Sequence, residues 1–166
     1  MKKIIIAFLL LFSLNAIAQG DIVQVGQQLP EFTIFTGEGQ SLTSASLKGK
    51  VVLLNFFATW CAPCRIELPE LQTKIWDKYK DNANFNLFVL GRDHTNEEVN
   101  TFKKNNNFTF PMYGDKGKII YSIFATMYIP RTYLIDKEGK VVYMSTGFTE
   151  GDIKKMDSKI SELLKD

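Results

Sequence analysis

Val51-Val-Leu-Leu-Asn-Phe-Phe-Ala-Thr-Trp-Cys-Ala-Pro-Cys64 is the stretch on which the reading of this 166-residue chain turns. Val51 to Phe57 is almost uniformly apolar, as in a strand buried on both faces of a helix-covered parallel sheet. Two cysteines follow, three residues apart, and they are the chain's only ones. After Cys61 the pattern turns helical, which puts Cys61 at a helix N-terminus. Free N–H groups and the macrodipole there favour a thiolate. Cys64 lies one turn deeper, within reach for a disulfide. Pro63 sits in the first turn, where its missing N–H costs little. The pair points to thiol–disulfide exchange. The bland alternative is a static crosslink, but so small a loop removes little unfolded-chain entropy.

The N-terminus reads as a secretory leader over residues 1–18. Lys2 and Lys3 form a positive end, Ile4 to Phe12 an apolar run, and Ala16-Ile17-Ala18 a cleavage site ahead of Gln19. The run is shorter than the ~20 residues a spanning helix needs. No cysteine near the cut could carry a lipid. The expectation is an exported protein, with a periplasm as the favoured compartment, where disulfides persist. After cleavage it is not an integral membrane protein. The chain has 20 Lys and Arg against 18 Asp and Glu, and two of the lysines lie in the leader. The mature chain is thus balanced and suggests neither nucleic acid nor anionic membrane as a partner. Two cysteines and one histidine do not make a zinc site, and nothing calls for a cofactor.

Residues 19–166 are expected to form one domain. Glu31 to Thr36 alternates weakly and Gly37-Glu-Gly39 marks a turn, giving an N-terminal β extension over residues 21–47. Leu68, Leu71, Ile75 and Tyr79 continue the helix after Cys61, and Pro69 should kink it. Phe85 to Leu90 reads as a second central strand. Thr95-Asn-Glu-Glu98 is a capping box before Val99 and Phe102. Ile119, Ile120, Ile123 and Phe124 suggest another helix. Arg131–Ile135 and Lys140–Met144 flank Asp136-Lys-Glu-Gly139 as a hairpin. Thr149 caps a last helix with Ile153, Met156, Ile160, Leu163 and Leu164 inward. The order implies an α/β fold: a central mixed sheet with helices on both faces.

Phe57-Ala-Thr-Trp-Cys-Ala-Pro-Cys64 resembles the active-site segment of the thioredoxin superfamily. Cys64-Arg-Ile-Glu-Leu-Pro69 narrows the resemblance to exported TlpA/ResA-like thiol–disulfide oxidoreductases. Val25-Gly26 with Leu29-Pro-Glu-Phe32 resembles the opening these share with AhpC/TSA domains. Tyr128-Ile-Pro-Arg-Thr-Tyr-Leu-Ile-Asp136 resembles the segment that carries the superfamily's cis-proline. The resemblance implies a thioredoxin-like fold over the mature chain. It implies Cys61 as nucleophile, Cys64 as resolving thiol, and a cis Pro130 facing them, with Ile129, Pro130 and Trp60 touching substrate. Tyr128 is a further candidate for that surface; packing is the alternative for both aromatics.

Glu67, three residues after Cys64, projects near the same helix face. A partly buried carboxyl there could exchange a proton with Cys64. Thioredoxins carry an acid in the strand where Asn55 stands here, and Asn55 cannot titrate, which moves the proton role to Glu67. The alternative is a solvated helix glutamate. His94 reads as a polar loop residue rather than a copper ligand. Implied partners are exported cysteine-containing proteins, apocytochrome c being one family possibility, and a membrane thiol–disulfide electron donor. Two other functions compete. One is a thiol peroxidase, although such sites resemble Pro-x-x-x-Thr/Ser-x-x-Cys and Asn55 stands four residues before Thr59. The other is a non-catalytic metal- or partner-binding module, which has no need of both thiols.

Overall fold

A computed structural model describes residues 20–37 and 39–165; the expected leader lies outside them. The central sheet has the order β5-β4-β3-β6-β7, built from Met112–Asp115, Phe85–Arg92, Val51–Phe57, Arg131–Ile135 and Val141–Thr146. β3 pairs in parallel with β4, and β4 with β5; β6 is antiparallel to β3 and β7 antiparallel to β6. Every residue of β3 is buried, so its continuous apolar run is that of the sheet's middle strand. A separate antiparallel hairpin joins β1, Thr33–Gly37, to β2, Gln40–Thr43.

Side chains of β3 alternate between two cores. Val51, Leu53 and Phe57 meet the helices α1, Ala62–Glu70, α3, Asn96–Asn105, and α5, Glu150–Leu163. Val52, Leu54 and Phe56 meet the N-terminal segment and α4, Tyr121–Phe124. Asn55 shares its face with α1, and that geometry brings it under the helix that carries the cysteines. The break at Pro69 takes the form of a widened turn. α1 passes into one π-helical stretch, Leu71–Trp76, and closes as α2, Asp77–Tyr79. Proline lacks the N–H that would bond the carbonyl four residues back, and a π turn is one way a helix accommodates the loss.

The Thr95 capping box forms as written: Thr95 Oγ1 accepts the Glu98 N–H, and Glu98 Oε2 accepts the Thr95 N–H. The helix expected from Ile119 is shorter. Gly117, at φ 75°, interrupts the preceding 3-10 turn, and Ile119 is exposed rather than inward. The buried Asp115 carboxylate sets the true start by accepting the N–H groups of Ile120 and Tyr121. β5 is absent from the expectation, because four residues containing a glycine give no readable period.

The N-terminal arm is fixed by a contact that no local pattern announces. Asp21 and Arg131 form an ion pair whose side chains are almost wholly buried. Arg131 Nε also donates to the carbonyls of Met127 and Tyr128. Gly20, at φ 98°, lies where a Cβ would strike Met127, and its carbonyl accepts the Thr126 N–H. Breaking a buried pair from one side strands a charge, at about 3–5 kcal/mol. An exposed pair such as Lys80–Asp77 contributes about 1 kcal/mol or less. In urea titrations, Asp21→Asn is therefore expected to lose roughly 3–5 kcal/mol and Asp77→Asn about 1 kcal/mol at most. Equal losses would remove the structural role assigned to Asp21.

Candidate active site

β3 ends at Phe57, and the chain turns through Ala58 to Cys61, whose N–H donates to the Ala58 carbonyl at 3.1 Å. Cys61 is the N-cap of α1, with φ −79° and ψ 107°, and its sulfur accepts the Cys64 N–H at 3.3 Å. The two cysteines form a disulfide with Cα atoms 5.3 Å apart. When the disulfide opens, the same N–H stabilises negative charge on Cys61 Sγ. Cys61 is 4% exposed and Cys64 is 0% exposed, so an incoming group reaches Cys61 first.

The loop ahead of β6 lies against that sulfur. The Ile129 carbonyl oxygen is 3.8 Å from Cys61 Sγ, and the Ile129–Pro130 peptide is cis. Tyr128 adopts φ 68°, a region sterically unfavourable for a side chain of its size. Its carbonyl is held by the Tyr121 hydroxyl at 2.7 Å and by Arg131 Nε at 3.3 Å. These bonds fix the conformation, and the ion pair with Asp21 stands behind them. Trp60 and Tyr128 are 67% and 60% exposed, so neither serves to fill the core.

Glu67 is fully buried, three residues beyond Cys64 on the face of α1 that meets the sheet. Asn55 Nδ2 donates to its Oε2 at 2.9 Å, and the Thr132 hydroxyl donates to its Oε1 at 3.1 Å. Asn55 Nδ2 also donates to Thr132 Oγ1 at 2.8 Å, and the two residues are register partners across β3 and β6. Burial dominates the carboxyl and pushes its pKa up from 4.5 to about 7; the two hydrogen bonds pull the other way, and Asp152 adds a smaller upward push. A group half-protonated near neutrality can take a proton from a thiol or return it.

The structure thus brings Cys61, Cys64, Ile129 and Pro130 together at one end of β3, with Glu67 behind and Trp60 and Tyr128 outside. Thr132 is the member that sequence reasoning missed. Its role depends on antiparallel register with Asn55, for which the chain carries no local sign. His94 lies in the loop ahead of α3, as expected, but it is buried there: its ring folds against Phe57 and accepts the Thr59 N–H.

A family model described as the AhpC/TSA family matches residues 25–144. A Thiol-disulfide oxidoreductase ResA of Bacillus cereus is 37% identical over 125 residues, covering 75% of this chain and 71% of that protein. A solution structure from Bacteroides thetaiotaomicron, provisionally described as a protein disulfide isomerase, aligns with a TM-score of 0.84 and 40% identity over 89% of this chain and 94% of that one. The crystal structure of a thiol:disulfide interchange protein, thioredoxin family protein, from Chlorobium tepidum TLS aligns with a TM-score of 0.69 and 25% identity, covering 86% and 99%.

The raised Glu67 pKa makes stability depend on pH. Between pH 4.5 and about 7 the folded state keeps a proton that the unfolded state has released. Stability from this group is therefore complete below pH 4.5 and is lost as pH rises through about 7. The loss amounts to roughly 3 kcal/mol. Urea titrations of the oxidised protein at pH 5 and pH 8 should show it in wild type relative to Glu67→Gln, whose amide does not titrate. A pH-independent difference between the two proteins would show that Glu67 is not titrating in this way.

Proposed function

We propose, for a chain that belongs to the AhpC/TSA family and is a thiol–disulfide oxidoreductase, that it acts outside the cytoplasm as a reductase of disulfides in exported proteins. The observation that carries this reading is the pairing of Cys61 at a helix N-cap with a buried Cys64 and the carboxyl of Glu67.

The exchange follows from that geometry. In the dithiol form, the Cys61 thiolate attacks one sulfur of a substrate disulfide, and the other substrate sulfur leaves as a thiolate. Cys64 gives its proton to ionised Glu67 and attacks Cys61 Sγ. The second substrate thiolate leaves, and the Cys61–Cys64 disulfide forms. Two electrons pass to the substrate. A membrane thiol–disulfide donor is the proposed source of the two that restore the dithiol. Ile129, Pro130 and Trp60 are the proposed substrate contacts, since the Ile129 carbonyl lies 3.8 Å from Cys61 Sγ and exposed Trp60 directly precedes Cys61.

Export is read from the leader at residues 1–18, with a periplasm as the destination and Gln19 as the mature N-terminus. Among the described residues no helix is long and apolar enough to cross a membrane. Apocytochrome c is one proposed substrate among exported cysteine proteins. The AhpC/TSA match keeps a peroxidase reading in view; the second cysteine, disulfide-bonded to Cys61 and itself buried, favours dithiol exchange.

Insulin reduction with a dithiol donor is expected to require both cysteines, with no comparable consumption of peroxide. Cys64→Ser should accumulate a mixed disulfide through Cys61, and capture in the native cell would identify the partners. Glu67→Gln should slow resolution on the order of 10²-fold. It should also remove a rise in rate that wild type shows as pH passes through about 7. Absence of insulin turnover by reducible wild-type protein would defeat the reductase reading. Fractionation followed by N-terminal sequencing checks export and the cut before Gln19.

A further inference from the structure

The turn that delivers Cys61 is anchored by a side chain from the loop that follows β4. Thr59 lies in that turn, and its N–H donates to His94 Nε2 at 3.0 Å, while Cys61 N–H returns to the Ala58 carbonyl. A backbone N–H at this depth needs an acceptor, and the one it finds is an imidazole nitrogen. We propose that His94 is a positioning residue for the exchange reaction: its neutral ring, accepting through Nε2, holds the Thr59–Trp60–Cys61 segment in its reactive geometry, and protonation of the ring releases the hold. The inference rests on Cys61 being the attacking thiol.

The site for the ring is built by tight packing. Gly91 pairs with Phe57 across β3 and β4. A Cβ on Gly91 would stand 2.5 Å from Val99 Cγ2 and 3.1 Å from His94 Cβ. A Cβ on Gly114 would stand 2.4 Å from the His94 carbonyl oxygen. Two strands thus lack side chains where the His94 segment crosses them. Asp93, at φ 64°, makes the bend, with its N–H on the Asp115 carbonyl and the His94 N–H on the Gly91 carbonyl. The ring then lies against Phe57 at the end of β3, its centroid 6.3 Å from that of Phe57.

The charges around the ring set the direction of the effect. Accepting at Nε2 requires the tautomer with its proton on Nδ1, and Nδ1 stands 3.8 Å from Glu98 Oε2. Thr95 donates to Glu98 from its backbone and hydroxyl, which holds that carboxyl below its ordinary range and keeps it anionic. Glu97 on α3, Asp93 in the bend, Asp115 on β5 and Lys116 after it are the other charged groups nearby. A second proton turns Nε2 into a donor facing the Thr59 N–H. Thr59 Oγ1, 3.4 Å away, is the adjacent acceptor, but reaching it alters the contact that fixes the turn. Glu98 draws the charged ring from the opposite side. Acidification therefore loosens the segment that carries Trp60 and Cys61.

His94 is the only histidine in the sequence, so its ring gives a single set of NMR signals. In the oxidised full-length mature protein, nitrogen shifts are expected to report the Nδ1–H tautomer. The Thr59 amide and Trp60 indole signals should move with the same midpoint as the ring. The titration is repeated in Glu67→Gln, where no carboxyl at that position titrates. His94→Gln places an amide oxygen near Nε2 and should keep the Thr59 amide in place without the acid transition. In exchange assays at neutral pH, His94→Ala should lower kcat/KM on the order of tenfold and His94→Gln restore most of it. An Nε2–H tautomer, or Thr59 and Trp60 signals indifferent to the ring's titration, overturns the proposal. So does an acid transition that persists in His94→Gln. The NMR readings need neither substrate nor turnover, so they stand or fall separately from the reductase assignment.

Discussion

A carboxyl group under a helix and against the middle of a sheet is the constraint on which the site depends. Removing Glu67 from water disfavours its charged form, and leaving its oxygens unbonded would add a penalty of about 1–3 kcal/mol each. Asn55 from β3 and Thr132 from β6 supply the two donors. Those strands lead to the cysteine turn in one case and away from Pro130 in the other. The bonds that satisfy the carboxyl therefore also register the two loops between which Cys61 lies. Asn55 in place of an ionisable strand residue matters here: it bonds Glu67 and Thr132 together without introducing a second charge.

The opposite core supports the same loops from below. Arg131 follows Pro130 directly and points away from Glu67, into the layer where Asp21 meets it. Phe56, Phe124 and Tyr133 pack there with ring centroids 5.0 to 6.3 Å apart. Alternation along β6 thus sends Thr132 to the redox face and Arg131 to the structural one. The N-terminal extension is more than a cover for the sheet, since it contributes the counter-charge that lets a guanidinium sit beside the active loop.

What can be read from the chain is what local chemistry carries. The apolar run of β3 and the cysteine spacing are visible within one short stretch, as are the Thr95 cap and the turn at Asp136. Glu67 is visible as a helix neighbour of Cys64. Its partners divide instructively. Asn55 draws notice by departing from a family pattern, whereas Thr132 acquires its role from antiparallel register 77 residues along the chain. Asp21 and His94 are hidden for the same reason. Each acts on a segment distant in sequence, and neither sits in a periodic pattern that marks its orientation. Ile119 misleads because apolar spacing suggests an inward face, while the helix begins only at Tyr121, where Asp115 accepts the N–H groups of Ile120 and Tyr121.

The arm at Gly20 and Asp21 also bears on how the molecule comes together. Gly20 and Thr126 are 106 residues apart in sequence. Closing so long a loop in a free chain costs about 4 kcal/mol by the logarithmic dependence on length, more than an exposed ion pair returns. Asp21 and Arg131 therefore cannot seed the fold. They meet once the sheet has already brought the two segments close, and desolvation then makes the contact strong. The pair marks completed assembly, and the loop facing Cys61 gains its last support at that step.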